Sequence, residues 1–170
     1  MLKKMTLYHG SDTAIHVPRI LPPSRLLDFG DGFYTTSSYE QAKSWAQRVR
    51  MRRNSKNEII SIFEFDMPKA VKTLQIIKFD SPTPEWLRFV AACRSGKETG
   101  WNYDIAIGPV ANDNVYATIQ LFETGLLSEA ETITRLKVEK LYDQILFHTE
   151  NALKLLSFVK IENLSEDPNG

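Results

Sequence analysis

The stretch DFGDGFYTTSSYEQAKSWA (residues 28–46) contains three successive local patterns that decide how the fold is interpreted. Its glycines and aspartates predict a turn at the end of a long loop over residues 11–32, and Phe33 to Thr36 predicts a brief strand. Ser37 and Ser38 are each followed three residues later by Glu or Gln, which is the spacing of a capping box. A helix is therefore expected next, with a buried face made of Ala42, Trp45, Ala46 and Val49.

On both sides of this stretch, short strands and short helices mix without regular β-α-β alternation. Alternating or continuous apolar residues predict strands at 5–9, 58–66, 74–77, 103–107, 144–148 and 157–161. Capping residues and apolar spacing predict helices that begin near Pro84, Asn112, Ser128 and Thr149. We therefore expect an α+β fold with a split β-sheet core and several short helices.

Composition and charge exclude several classes of protein. The hydrophobic fraction is 42% and the formal net charge is zero, which allows a packed core and gives no reason to favour nucleic acid or membrane as the main partner. The first residues lack the apolar segment of a signal peptide. A single cysteine and three histidines without metal-ligand spacing argue for a reducing compartment and against a metal site. We expect a cytoplasmic protein with one domain over residues 1–164 and a flexible tail over residues 165–170.

Four motifs follow one another along the chain: YHGS (8–11), DFGDGFYTT with QAxxWA (28–46), YDIAIGPVAND (103–113) and DQILFHT (143–149). No glycine-rich loop of the Rossmann or P-loop type accompanies them. In this order the motifs resemble the ADP-ribosyltransferase superfamily and, more narrowly, a bacterial family catalogued as domain of unknown function 3990. The resemblance implies two small antiparallel sheets around a cleft that holds NAD.

The resemblance also assigns roles to residues of the first two motifs. His9 would contact the adenosine ribose of NAD, and the backbone of Gly10 would pair with the nicotinamide amide, since glycine lets the main chain approach a ligand closely. Tyr34 would stack on the nicotinamide ring, because a cationic pyridinium prefers an aromatic face. Trp45 would stack on the other face or pack in the core. The expected cofactor-binding set also includes Ser11, Phe29 and Gly32.

The last motif offers two residues for the position that the superfamily fills with an acid. Asp143 and Gln144 are neighbours in a predicted strand, so they point to opposite faces and only one can enter the cleft. A carboxylate there would stabilise the oxocarbenium-like transition state through the ribose 2′-OH. We favour Gln144, which the narrower family resemblance implies, and keep Asp143 as the alternative. Gln144 would keep the hydrogen bond but lose the charge.

Several other polar residues have both a structural and a functional interpretation. His16 and His148 are expected to be structural. Residues 28–31 form either an ordinary turn or a lid over the nicotinamide ribose. Residues 112–114 form either a helix cap or part of the site. The arginines at 48, 50, 52 and 53 are a solvated helix end, or contact a pyrophosphate, an acidic partner or RNA.

The resulting functional hypothesis is a mono-ADP-ribosyltransferase that uses NAD and needs no metal. It would release nicotinamide and transfer ADP-ribose to a protein or nucleic acid. The resemblance further implies a toxin of a bacterial toxin–antitoxin or antiphage system, with a small antitoxin protein as partner. Two alternatives remain open: an NAD- or nucleotide-binding module of the same fold without transferase activity, and an ADP-ribosyltransferase that modifies RNA or DNA.

Overall fold

The computed structural model describes residues 1–22, 26–110, 113–137 and 141–165, apart from the side chains at 113 and 114. Within these ranges the chain forms seven strands and six helices. In chain order they are β1 (Met5–Ser11), β2 (Phe33–Thr35), α1 (Tyr39–Arg53), β3 (Ile59–Phe65), α2 (Met67–Thr73), β4 (Ile76–Lys78), α3 (Pro84–Arg94), β5 (Ile105–Pro109), α4 (Asp113–Glu123), α5 (Glu129–Leu136), β6 (Asp143–Phe147), α6 (Glu150–Leu153) and β7 (Leu156–Asn163).

The strands form two small sheets, so the expectation of an α+β protein with a split sheet is confirmed at that level. The first sheet has the order β1-β3-β7 and the second the order β2-β6-β5-β4. An isolated antiparallel bridge between Tyr8 and Thr36 joins β1 to the chain just after β2. This bridge brings the β1 edge of the first sheet beside the β2 edge of the second.

The expectation that both sheets are antiparallel is wrong for one pair of strands. β4 and β5 are parallel, with Ile76 opposite Ile105 and Lys78 opposite Ile107. The connection between them contains α3, and parallel neighbours need such a crossover because a tight turn can only join antiparallel strands.

One helix was not expected from the sequence, and one open alternative is decided by the structure. The helix α2 was not expected, although Asp66 caps it by accepting a hydrogen bond from the Lys69 amide and Pro68 occupies its first turn. At the start of α1 the N-cap is Ser38, not Ser37, because the Ser38 side chain accepts from the Gln41 amide. The predicted cap at Asn112 lies outside the described residues.

The second sheet is covered on both faces, which determines where its polar side chains can lie. One face packs against α3, α4 and α5 through Leu146, Ala106, Trp86 and Ile119. The other face meets the first sheet in a cluster that includes Ile145, Phe147, Phe63 and Leu7. Side chains on β6 therefore alternate between two different environments.

Among the described residues, no helix has the length and apolar character needed to cross a membrane. The predicted tail at 165–170 lies outside the described residues except for Ser165, whose hydroxyl accepts a hydrogen bond from the amide of Glu58 and whose amide donates to Oδ1 of Asn163.

Candidate functional site

A cleft of about 680 Å³ opens beside the junction of the two sheets, between α1, the end of β1 and the helices over the second sheet. Its volume lies within the range of small-molecule and cofactor sites. Five of the residues predicted from the sequence line it: His9, Gly10, Tyr34, Trp45 and Gln144. They come from four separate segments of the chain, so the fold brings the predicted residues together.

His9 is held in one orientation by two contacts. Its Nδ1–H donates to the carbonyl oxygen of Tyr34 at 2.7 Å, and its ring stacks on Phe33 at a centroid distance of 4.4 Å. Burial lowers the pKa of His9, and the hydrogen bond to the Tyr34 carbonyl offsets only part of that effect. The ring is therefore neutral at pH 7, and with the proton on Nδ1 its Nε2 is a hydrogen-bond acceptor.

Tyr34 lies in the middle of the three-residue strand β2, between the buried residues Phe33 and Thr35. Its hydroxyl donates to the carbonyl of Gly30 at 2.6 Å and accepts from the amide of Phe29 at 3.1 Å. Burial raises the pKa of Tyr34 well above its ordinary value, and the negative charge of Asp28 adds to the rise. The tyrosine thus stays neutral and ties the loop before β2 to the strand.

Packing requires a glycine at position 10, independently of any role in ligand binding. A Cβ atom built on Gly10 would lie 1.9 Å from the carbonyl oxygen of Ala42, which no side chain can tolerate. The glycine therefore lets α1 lie directly on β1. Tyr8 exchanges both of its backbone hydrogen bonds with Thr36, and alternate residues of a strand point their N–H and C=O groups the same way. The N–H and C=O groups of Gly10 consequently point away from β3, toward the cleft side.

The predicted buried face of α1 is divided between core and cleft. Ala42 and Ala46 are completely buried. Trp45 and Val49 are half-buried and line the cleft instead. The helix therefore forms one wall of the site with its larger apolar side chains.

The structure separates the two candidates for the acid position. Gln144 is 3% exposed and lines the cleft. Asp143 faces the other way, where its carboxylate accepts hydrogen bonds from the hydroxyl of Thr36 at 2.9 Å and from the amide of Ser37 at 2.9 Å. The Ser37 hydroxyl also donates to it at 2.5 Å. Asp143 thus fastens the chain between β2 and α1.

The amide group of Gln144 has its orientation set by its neighbours. Its Nε2 lies 3.4 Å from Oδ2 of Asp28 and 3.4 Å from the carbonyl oxygen of Pro109. Both neighbours are acceptors, so the nitrogen end of the amide must face them. This leaves the oxygen, Oε1, as the end that can accept a hydrogen bond from a ligand.

Arg94, the last residue of α3, was not expected in the site. Its side chain is only 8% exposed, lies 3.8 Å from the carboxylate of Asp28, and places its guanidinium 3.8 Å from the ring centre of Tyr116. Its Nη1 has no hydrogen-bond partner among the described residues. The sequence contains an indication of this position. Arg94 follows Val90 by four residues and so continues the apolar stripe of α3, where a charged side chain is unusual unless it has a partner or a function.

The cluster of four arginines on α1 serves two purposes. Arg50 pairs with Glu58 and Arg53 pairs with Asp12, each at 2.8 Å, so both form ion pairs at the protein surface. Arg48 and Arg52 instead line the cleft together with Arg94. The lining also contains two carboxylates, those of Asp28 and Glu123. The described lining thus carries an excess of positive charge, which suits a ligand with phosphate groups.

Besides Asp143, three residues of the predicted cofactor-binding set do not line the cleft. Phe29 is fully buried between Phe79 and Phe89, although its amide bonds the Tyr34 hydroxyl. Gly32 has φ +150° and packs against the carbonyl of Phe147, which a Cβ atom would approach to 2.3 Å. Ser11 is buried at the end of β1, with its hydroxyl 3.4 Å from the carboxylate of Asp12. The candidate at Asn112, with the side chains of its two followers, lies outside the described residues.

Comparison with known families identifies the chain. The family described as "Protein of unknown function (DUF3990)" matches residues 5–158, and the protein belongs to it. No curated protein matches the sequence.

Proposed function

We propose that this member of the family is an NAD-dependent mono-ADP-ribosyltransferase that releases nicotinamide and passes ADP-ribose to a macromolecule. The observation that carries the proposal is the convergence of His9, Tyr34 and Gln144, from β1, β2 and β6, on one cleft. The three residues belong to motifs that are far apart in the sequence. Their convergence supports a common role.

The chemistry of the lining fits the parts of NAD. The ring of Tyr34 offers a face to the pyridinium, and the backbone of Gly10 offers an N–H and a C=O to the carboxamide. The neutral His9 accepts a hydrogen bond from a ribose hydroxyl through Nε2. The arginines that line the cleft, Arg48, Arg52 and Arg94, supply positive charge for the pyrophosphate.

The reaction that follows is a substitution at C1′ of the nicotinamide ribose. The bond from C1′ to the ring nitrogen breaks, and its electron pair neutralises the pyridinium as nicotinamide leaves. Positive charge then spreads over C1′ and the ring oxygen, as in glycoside hydrolysis. The 2′-OH donates to Oε1 of Gln144, and this bond strengthens as the sugar becomes positive. A nucleophile of the acceptor, or water, then bonds to C1′ and loses its proton to solvent.

The direct test measures NAD binding by calorimetry and nicotinamide release for the wild type and for Tyr34→Leu. We expect binding and release in the wild type, and a fall in kcat/KM of about 100-fold in the variant, because the stacking face is lost. Tyr8→Leu is the matched control, since Tyr8 packs on Tyr39 and does not line the cleft. A wild type that does not release nicotinamide contradicts the proposed transferase.

One observation favours a second function, that of a binding module. The position nearest the expected ribose carries an uncharged amide, Gln144, which holds NAD as well as a carboxylate would but stabilises the transition state less. Tight binding of NAD in calorimetry without nicotinamide release would support this function. A nucleic-acid acceptor has less support, because two of the four clustered arginines are committed to Glu58 and Asp12.

The toxin role and the small antitoxin partner are part of the proposal through family resemblance. They predict that expression of the wild type arrests bacterial growth, and that Tyr34→Leu relieves the arrest at equal protein level. Growth arrest by both proteins would separate toxicity from NAD chemistry.

A further inference from the structure

Gln144 is not alone at the acid position, because a carboxylate lies directly behind it. Oδ2 of Asp28 is 3.4 Å from Nε2 of Gln144, and Oδ1 of the same group is 3.8 Å from Nη1 of Arg94. The Asp28 side chain is 18% exposed and lines the cleft. A negative charge is therefore present within one amide group of the place where the ribose hydroxyl would bind.

From this geometry, we infer that Asp28 is a positioning residue that supplies, through the Gln144 amide, the negative charge that the glutamine lacks. The inference rests on the proposed function and deepens it. It assigns Asp28 and Gln144 together, rather than either residue alone, to the position that stabilises the ribosyl cation.

Two physical effects support the pair. A carboxylate that accepts from Nε2–H polarises the amide and makes Oε1 a stronger acceptor for the ribose 2′-OH. The carboxylate also acts directly on the developing cation, because a charge that lies behind the Gln144 amide in a partly enclosed cleft is less screened than one in bulk water. Both effects are larger in the transition state than in bound NAD, so they raise kcat more than they improve binding.

Arg94 completes the arrangement by keeping Asp28 in place. The guanidinium is buried, rests on Tyr116 and faces the far side of the carboxylate. At 3.8 Å the contact is an ion pair without a short hydrogen bond.

The experiment compares Asp28→Asn with the double variant Asp28→Asn/Gln144→Glu. The asparagine keeps the size of the side chain and removes its charge, so kcat for nicotinamide release should fall about 10- to 100-fold. The Kd for NAD should change by less than about threefold, since the direct contacts of the cofactor remain. In the double variant the negative charge returns on the side chain at position 144, which lies closer to the ribose, and kcat should recover to at least the wild-type value.

Each outcome decides between the inference and its alternatives. A purely structural role for Asp28 would lower thermal stability and would not be rescued by Gln144→Glu, so absence of rescue overturns the inference. An unchanged kcat in Asp28→Asn overturns it as well. If the wild type binds NAD but releases no nicotinamide, the proposed transferase fails and this inference fails with it, whereas release by the wild type with no response to Asp28→Asn rejects only the role of Asp28.

Discussion

His9 and His148 have nearly the same surroundings but lie in different regions of the molecule. Nδ1 of each contacts a backbone carbonyl, that of Tyr34 at 2.7 Å for His9 and that of Asp31 at 2.6 Å for His148. Each ring also stacks on an aromatic ring, at 4.4 Å on Phe33 and at 4.6 Å on Tyr103. Only His9 lines the large cleft.

A fixed, stacked histidine is therefore not by itself a site. Both regions stabilise the loop before β2, one through the strand that follows the loop and the other through the loop itself. What distinguishes the His9 region is its neighbourhood on the cleft side, where Tyr34, Gln144 and the arginines are within reach of one ligand. Substitutions in the His148 region should therefore change stability alone, whereas those in the His9 region should change both stability and function.

The largest effect is expected from the glycine of each region. Gly10→Ala and Gly32→Ala would push a Cβ atom to 1.9 Å and 2.3 Å from the backbone oxygens of Ala42 and Phe147. Each substitution should lower the free energy of unfolding by about 3 kcal/mol or more, because neither backbone can move freely. Urea unfolding measures this. Gly100→Ala is the control, with φ +74° and open space around it, and should cost only about 1 kcal/mol. Equal losses for Gly10→Ala and Gly100→Ala would refute the packing argument.

The sharpest functional test is to remove each histidine. His9→Ala should reduce kcat/KM for nicotinamide release about 100-fold, because the ribose loses its acceptor and Tyr34 loses its partner. His148→Ala should stay within about threefold in kcat/KM, while both variants lose about 1–2 kcal/mol of stability. A similar loss of activity in both would mean that the histidines act only through the fold.

A smaller effect is expected from the tyrosines that hold the loop from its two sides. Tyr34 bonds the backbone of Gly30 and Phe29, and the Tyr103 hydroxyl donates to the Phe29 carbonyl at 2.7 Å. Tyr34→Phe and Tyr103→Phe should each cost about 1–1.5 kcal/mol in urea unfolding. Only Tyr34→Phe should raise the KM for NAD, since its ring lines the cleft and loses the hydroxyl bonds that hold the ring in position. A matching rise in Tyr103→Phe would indicate that loop position alone determines KM.

The smallest effect concerns pH. The pKa of His9 is lowered in the folded protein by burial, from an ordinary value of 6.5, so the unfolded chain takes up the proton first. His9 should therefore contribute a loss of stability as the pH falls below about 6.5, continuing until the folded-state pKa is passed. Unfolding curves between pH 7.5 and pH 5 should be less pH-dependent for His9→Gln than for the wild type. Identical slopes would contradict a buried neutral His9.

Much of the local structure could be predicted from the sequence. The apolar runs of β3 and β6 and the caps at Ser128 and Thr149 are encoded within a few residues and appear in the fold. The helix α2 was missed because its signals, Asp66 and Pro68, directly follow a strand pattern that dominates the window. Of the site, His9, Gly10, Tyr34, Trp45 and Gln144 were predicted, since each belongs to a motif with a recognisable order.

The remaining part of the site depends on contacts that no local pattern contains. The pairing of Asp28 with Gln144 joins residues 116 positions apart, and Arg94 contacts Asp28 from the end of α3. By itself, the sequence determined that only one of Asp143 and Gln144 could face the cleft, because side chains of a strand alternate. Only the tertiary structure decided which one, because the face of β6 that meets the cleft depends on how the sheet packs between α3–α5 and the first sheet.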